Sequence, residues 1–169
     1  MDLAERIVGW ADEGEQVEAV VVHERETEVR AYEGEVESLT SAESQGVGVR
    51  VVRDGRQGFA YAGTLDPDAL AEVLAEARDN LTFATPDEHC ALAEPDGVEA
   101  AELDLYRATL VDHPTEAKVA LALDLERRTR AADPRISGVE SADYSDSISE
   151  SAVATTTGIL ATGRETGCF

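Results

Sequence analysis

The sequence is almost devoid of lysine: Lys118 is the only one among 14 basic residues, against 36 Asp and Glu, which gives a net charge of −22. Proteins bind nucleic acids and anionic lipids through clustered Lys and Arg, which displace counterions from phosphates. So acidic a chain repels both, and we expect no direct binding to nucleic acid or membrane. Because high salt screens repulsion among carboxylates, the composition indicates a halophilic host; a GC-rich bacterium that prefers arginine is the alternative.

Cysteines and long apolar runs are also scarce. Only Cys90 and Cys168 are present, and their spacing favours two incidental thiols over a disulfide framework. No apolar run approaches the roughly 18 residues that a membrane-spanning helix needs. The acids and Arg6 near the start interrupt any secretory signal. We therefore expect a cytoplasmic protein.

The first half of the chain has the alternation of an antiparallel meander. Val47, Val49 and Val51 share one face of an extended segment, and the Asp54-Gly55 pair that follows is typical of a tight hairpin. The residues between the first two predicted strands, 24–26, are interpreted as a polar hairpin tip. We predict strands at Val17–His23, Thr27–Tyr32, Glu35–Ser44, Gly46–Val52 and Gln57–Ala62.

Helical periodicity is clearest after this meander. Asp66-Pro67 predicts an N-cap with proline at the first helical position. An apolar stripe follows at i, i+3, i+4, i+7 and i+11, formed by Leu70, Val73, Leu74, Ala77 and Leu81. Shorter or weaker patterns predict helices at 2–12 and at Thr115–Ala132.

The third helix is expected to bury one apolar side, composed of Ala117, Leu121, Leu125 and Ala132. Residues 83–114, which contain three of the five prolines, predict a long irregular segment. After the helix, Ser, Thr and Val predict three strands at Arg135–Ser145, Ile148–Thr157 and Ile159–Thr166.

These elements predict the α+β class, with a two-layer sandwich in which helices cover a mainly antiparallel sheet. We expect one α+β domain at 1–132, in which 83–114 is the long irregular segment. Residues 133–169 are then the β-rich start of a second unit, leading into a C-terminal domain that this chain does not include.

No residue pattern indicates a catalytic, metal-binding or cofactor-binding site. The soft metal ligands form no H-E-x-x-H or C-x-x-C pair; they are His23, His89, His113, Cys90 and Cys168. The pair Gly46-x-Gly48 lacks the third glycine and the helix of a dinucleotide fingerprint.

Two further groups of residues are better explained by structure than by chemistry. The glutamates of Glu24–Glu43 fit a solvated strand face rather than an acid/base pair. The serines at alternate positions of 141–151 fit the polar face of a strand, since no Gly-x-Ser-x-Gly elbow is present. We therefore predict no catalytic, metal or cofactor residues in this chain.

Three stretches, Glu28–Glu37, Ser44–Ala60 and Leu65–Ala77, resemble the N-terminal domain of the TldD/PmbA family. The most specific piece is G-x-G-V-R-V-x-x-D-G-x-x-G-F-A over residues 46–60. The resemblance continues more weakly through Asp133–Ile136 and Tyr144–Thr157, so it covers nearly the whole chain.

The resemblance implies a cytoplasmic protein of a peptide-hydrolysing complex, with historical links to peptide-antibiotic maturation and modulation of DNA gyrase. In this family the TldD-type subunit binds zinc through an H-E-x-x-x-H helix and a distant cysteine, and the PmbA-type (TldE) subunit lacks these ligands. The two subunits pair to degrade or trim unfolded peptides. The resemblance thus implies a TldD-type subunit, or a second copy, as partner, and zinc only in the TldD-type partner subunit.

The motif H-E-x-x-x-H is absent here, but in the family it lies beyond the point that residue 169 corresponds to, so both subunit types stay open. The segment Tyr144–Gly158 is closer to the PmbA type, and Cys168 does not correspond to the family's ligand cysteine. We expect a non-catalytic structural, dimerisation and peptide-channelling domain. A stand-alone acidic module that binds a basic protein is the alternative.

Overall fold

The computed structural model describes residues 2–98 and 101–169. The elements are α1 (Asp2–Val8), β1 (Gln16–Tyr32), β2 (Glu35–Arg53), β3 (Arg56–Ala62), α2 (Pro67–Leu81), α3 (Ala108–Val111), α4 (Thr115–Ala132), β4 (Ala142–Thr155) and β5 (Leu160–Cys168). The five strands form one open antiparallel sheet in the order β3-β2-β1-β4-β5, accompanied by helices, which confirms the predicted α+β class.

The strands are longer and fewer than the sequence pattern suggests. Residues 24–26 are not a hairpin tip but the middle of β1, because Glu24-Arg25-Glu26 lacks the Gly, Asn or Pro that turns the chain. The β1–β2 turn lies at Glu33 and Gly34, both at positive φ. The predicted Asp54-Gly55 hairpin is confirmed, with φ of 52° and 68°.

Other predicted boundaries also shift. The two segments predicted at 35–44 and 46–52 form the single strand β2. The helix predicted at 2–12 ends at Val8. The strand predicted to begin at Arg135 begins only at Ala142, and residues 135–141 are irregular. The predicted irregular segment 83–114 contains only the short α3, and its residues 99 and 100 lie outside the described residues. The domain boundary expected at residue 132 stays a prediction.

The chain divides into two compact units, each made of several segments. Unit 1 comprises the described residues up to His23, Ser44–Leu103 and Glu150–Gly163. Unit 2 comprises Glu24–Glu43, Asp104–Ser149 and Arg164–Phe169.

The core of unit 1 lies between α2 and one face of the sheet. Val47, Val49 and Val51 of β2 are buried there, as their alternation predicted. The helix stripe predicted from the sequence is also buried: Leu70, Val73, Leu74, Ala77 and Leu81. Asp66 is the N-cap residue of α2 and Pro67 begins the helix, as predicted, although the Asp66 side chain makes no capping hydrogen bond.

Helix α2 and strand β3 approach so closely that only glycine fits at Gly58. A Cβ placed there would lie 1.9 Å from the carbonyl oxygen of Ala77 and 2.4 Å from the amide nitrogen of Leu81. Backbone atoms cannot move aside as a flexible side chain can. Gly58 therefore fixes the distance between the helix and the sheet.

An ion pair in unit 1 ties α2 to the segment before β1. The carboxylate of Glu15, whose residue is 8% exposed, accepts hydrogen bonds from Arg78 Nε at 3.1 Å and Nη2 at 2.8 Å. Asp12 N–H donates to the same carboxylate at 3.0 Å. Burial alone would raise the pKa of Glu15, but these hydrogen bonds and the charges of Arg78 and Arg53 outweigh it and lower the pKa.

The core of unit 2 is smaller and contains charged residues. Its apolar members are Val29, Ala31, Ala122, Ala142 and Tyr144. The buried side of α4 carries Lys118, Ala122 and Glu126, so the apolar side predicted for this helix is wrong. Leu121 and Leu125 are each 50% exposed.

Replacing Gly58 with alanine should lower the free energy of unfolding by at least about 3 kcal/mol, the upper range for overpacking, because helix and sheet must separate. Urea unfolding followed by circular dichroism measures this. The control is Gly63→Ala, where a Cβ meets nothing within 4 Å. Equal stability of the two variants would contradict the close approach.

Loss of the Glu15 charge should destabilise the protein in a pH-dependent way. Because folding lowers the pKa of Glu15, its stabilising effect is complete above the ordinary value near 4.5 and is lost as the pH falls through the folded-state pKa. Glu15→Gln should therefore cost about 1.5 to 3 kcal/mol at neutral pH, the range for a hydrogen bond to a charged group, and progressively less below pH 4.5. Urea unfolding across this range tests it, with the exposed Glu13→Gln as control. A pH-independent difference would contradict the ion pair.

Candidate functional site

Strand β3 presents two exposed aromatic side chains on the face of the sheet opposite α2. Gly58 and Ala60 face the helix, so Phe59 and Tyr61 alternate to the other side. They are 56% and 76% exposed, and their ring centroids lie 6.4 Å apart. Large exposed apolar side chains that cluster are typical of binding surfaces.

Glycines of β2 form the floor beneath these rings. Gly48 lies opposite Tyr61 in the β2–β3 register, and a Cβ on Gly48 would lie 3.2 Å from Cε2 of Phe59. A Cβ on Gly46 would lie 2.9 Å from the carbonyl oxygen of Ala62. The absence of side chains at these two positions leaves a depression beside the rings.

We call this depression the aromatic groove. Its volume is about 560 Å³, and its walls include Val20 and Val22 of β1, Gly46 and Gly48 of β2, and Phe59 and Tyr61 of β3. Ser44 and Gln45 add polar groups at its border. None of the described residues that line it carries a charged side chain, so the groove has the chemistry of a binding surface for apolar groups.

The outer edge of β3 is partly occupied by the protein itself. The side-chain amide of Asn80 on α2 donates to the carbonyl oxygen of Phe59 at 2.9 Å. A strand added at this edge would have to replace that bond. The open face of the groove is therefore more accessible to a ligand than the edge of β3.

A second candidate is the buried polar cluster of unit 2. Lys118 Nζ lies 2.6 Å from Asp146 Oδ2 and donates to Thr27 Oγ1 at 3.2 Å. The hydroxyl of Tyr144 also donates to Asp146, at 2.6 Å. Burial, the hydrogen bond to Asp146 and the nearby Cys168 thiol all raise the pKa of Tyr144.

This cluster is better suited to structure than to chemistry. Lys118 and Asp146 are each 7% exposed, and both charges are already paired with protein groups. A buried ion pair with satisfied partners specifies how elements pack. This cluster was not predicted from the sequence. The one available signal was that Lys118, the single lysine of the chain, lies one helical turn from Ala122 and therefore on the same side of the helix.

The sequence analysis predicts no metal site from the histidines and cysteines, and two of them have other surroundings. His89 is exposed beside Glu88, and the thiol of Cys90 contacts Gln57 at 3.8 Å. Within 2–98 and 101–169, no three His, Cys, Asp or Glu side chains are placed to hold a metal. The resemblance implies zinc only for a TldD-type partner subunit. The described residues of this chain provide no set of ligands for it.

Most of the serines of 141–151 and the glutamates of 24–43 lie on strands, as expected, but Ser141 precedes β4 and Glu33 lies in the β1–β2 turn. The serines between 145 and 151 belong to β4. Most glutamates between 24 and 43 are exposed on β1 and β2.

None of the described helices is both long and apolar enough to cross a membrane.

Comparison with protein families finds two successive domains of one family. The profile described as PmbA/TldA metallopeptidase domain 1 matches residues 17–81, and that of the PmbA/TldA metallopeptidase central domain matches residues 109–169. Together they cover about three quarters of the chain.

Curated relatives support the same family. An uncharacterised protein of Methanocaldococcus jannaschii is 34% identical over 115 residues, which is 66% of this chain and 27% of the relative. The metalloprotease PmbA of Escherichia coli O157:H7 is 30% identical over 113 residues, 66% of this chain and 25% of the relative. The aligned part of the chain thus spans about a quarter of these relatives.

Solved structures show the same fold. TldE from Thermococcus kodakarensis superposes with a TM-score of 0.83 at 18% identity, over 99% of this chain and 37% of that one. A candidate modulator of DNA gyrase from Thermotoga maritima superposes with a TM-score of 0.84 at 20% identity, over 99% and 37% of the two chains.

Lys118 and Asp146 should stabilise the fold only when both are present. Lys118→Met should cost about 3 to 5 kcal/mol of unfolding free energy, because Asp146 is left charged and buried. Adding Asp146→Asn should recover most of this loss, since asparagine still accepts from Tyr144. Urea unfolding of the single and double variants measures the coupling. Additive losses would contradict it.

Proposed function

This chain belongs to the PmbA/TldD metallopeptidase family, and we propose that it is a non-catalytic N-terminal part of a cytoplasmic, peptide-processing metalloprotease. In this proposal it holds unfolded peptides in the aromatic groove and supports pairing with a zinc-containing TldD-type subunit or with a second copy. The aromatic groove is the observation that carries the proposal.

The groove has the properties that binding of many different peptides requires. An unfolded peptide exposes apolar side chains, and an aromatic wall holds these without hydrogen-bonding to a particular sequence. The polar groups of Ser44 and Gln45 are near enough to meet main-chain atoms of the same ligand. Because none of the described residues lining the groove is an Asp, Glu, His, Lys or Cys, cleavage is assigned to another part of the assembly.

Geometry favours the face over the edge of the sheet. Peptides often join a sheet by adding a strand through main-chain hydrogen bonds. Here Asn80 already occupies the carbonyl oxygen of Phe59, whereas the rings of Phe59 and Tyr61 are open to solvent. We therefore assign peptide contact to the aromatic rings rather than to the edge of β3.

The acidic composition supports a second candidate function, the capture of a basic protein by charge. The net charge is −22, and binding by charge weakens as salt screens it. Binding of apolar groups does not weaken in this way, and excluded salts strengthen it. Salt dependence therefore separates the two functions.

The groove is tested with a fluorescein-labelled, N-acetylated peptide of alternating apolar and serine residues, bound to this chain and followed by anisotropy. Tyr61→Ala should weaken binding about tenfold, which corresponds to the loss of about 1.4 kcal/mol for an aromatic anchor. Phe59→Ala should have a similar effect. Binding should persist at high salt.

The matched control is Phe83→Ala, because Phe83 is 87% exposed but lies outside the groove. It should bind the peptide as the unmodified chain does. Equal losses in all three variants would argue against the groove, and binding that disappears at high salt would favour the acidic module instead.

A further inference from the structure

Unit 2 contains a second pocket, beside the C-terminal half of α4. We call it the α4 pocket. Its volume is about 370 Å³, within the range of small-ligand sites. It is lined by Gly34 of the β1–β2 turn and by Leu123, Glu126, Arg127, Arg130 and Ala131 of α4.

The carboxylate in this pocket is buried but incompletely bonded. Glu126 is 1% exposed, and its Oε2 accepts the Gly34 N–H at 2.8 Å. Its Oε1 accepts no hydrogen bond from the part of the chain that the structure describes. Buried carboxylate oxygens are normally hydrogen-bonded, so Oε1 has the capacity to accept one more donor.

The neighbouring cations do not satisfy this oxygen. Arg127 is held by Asp124, to which its Nε donates at 3.1 Å. Arg130 Nη1 lies 3.5 Å from Glu126 Oε1, which is an ion-pair contact without a hydrogen bond. The side chain of Arg130 is 43% exposed, so a better donor can displace it towards solvent.

We propose that the α4 pocket binds a primary ammonium group, carried by a peptide N-terminus or a lysine side chain. The ammonium donates to Glu126 Oε1, and its attached carbons pack on Leu123 and Ala131. An ammonium is compact and has three donors, which suits a single oxygen without a hydrogen-bond donor on a residue that lines the pocket. This inference deepens the proposed function and rests on it, since a peptide ligand can supply either group.

The chain itself supplies no lysine for this pocket. Its only lysine, Lys118, is 7% exposed and paired with Asp146. A second copy of the chain therefore has no lysine side chain to offer. The ammonium must come from a ligand of different sequence or from a peptide terminus.

The test uses three short peptide amides added to the isotope-labelled chain: one of alanine with a free N-terminus, the same peptide N-acetylated, and an N-acetylated peptide containing one lysine. The Gly34 amide resonance reports binding, because its N–H contacts Glu126. The free-amine or the lysine peptide should shift it saturably, and the two results identify the source of the ammonium. The acetylated alanine peptide should cause no shift.

Glu126→Gln should reduce the affinity for the ammonium peptide at least about tenfold, because it removes a charge-assisted hydrogen bond. Glutamine still accepts from Gly34, and the thermal midpoint shows whether the fold persists. Ala131→Leu should also weaken binding, by filling the pocket without altering the carboxylate. Glu116→Gln, at an exposed position of the same helix, is the control that should bind normally.

Binding of the acetylated alanine peptide, or unchanged affinity in Glu126→Gln, would overturn the proposal, as would the absence of any saturable shift. The Tyr61→Ala variant distinguishes binding at the α4 pocket from binding at the aromatic groove. If the ammonium peptide binds this variant normally while groove binding fails every test, the α4 pocket stands and the groove does not.

Discussion

Unit 1 depends on the contact between the backbones of α2 and β3 at Gly58. Because this residue must face the helix, the alternation of β3 sends Phe59 and Tyr61 to the opposite side of the sheet. The same contact brings Asn80 to the edge of β3, where it donates to Phe59. One steric constraint therefore sets the helix distance, covers part of an edge and exposes the aromatic side chains.

Much of unit 1 could be predicted because each of its elements follows a single local sequence pattern. The α2 stripe has helical spacing, the valines of β2 alternate, and Asp54-Gly55 forms the turn its dipeptide favours. The aromatic groove could not be predicted, since it needs the pairing of Gly48 with Tyr61 across strands. Strand continuity through 24–26 was also missed, because this segment is as polar as a turn although it lacks the Gly, Asn or Pro that turns the chain.

Unit 2 shows the limit of hydrophobic patterning more clearly. Leu121 and Leu125 were expected on the buried side of α4, yet they are half exposed, and Lys118 and Glu126 are buried instead. A hydrophobicity count cannot foresee that Lys118 of α4 will pair with Asp146 of β4, or that Glu126 will accept the Gly34 N–H. Long-range pairing decides burial here, and a local sequence window does not contain that information.

The burial of the only lysine has a practical consequence. Amine-reactive reagents that modify lysine find no exposed lysine side chain in the described part of the folded chain, because Lys118 is enclosed in unit 2. Modification of Lys118 then requires local or global opening of that unit. Its labelling rate, followed by mass spectrometry without any engineered probe, would measure the opening of unit 2.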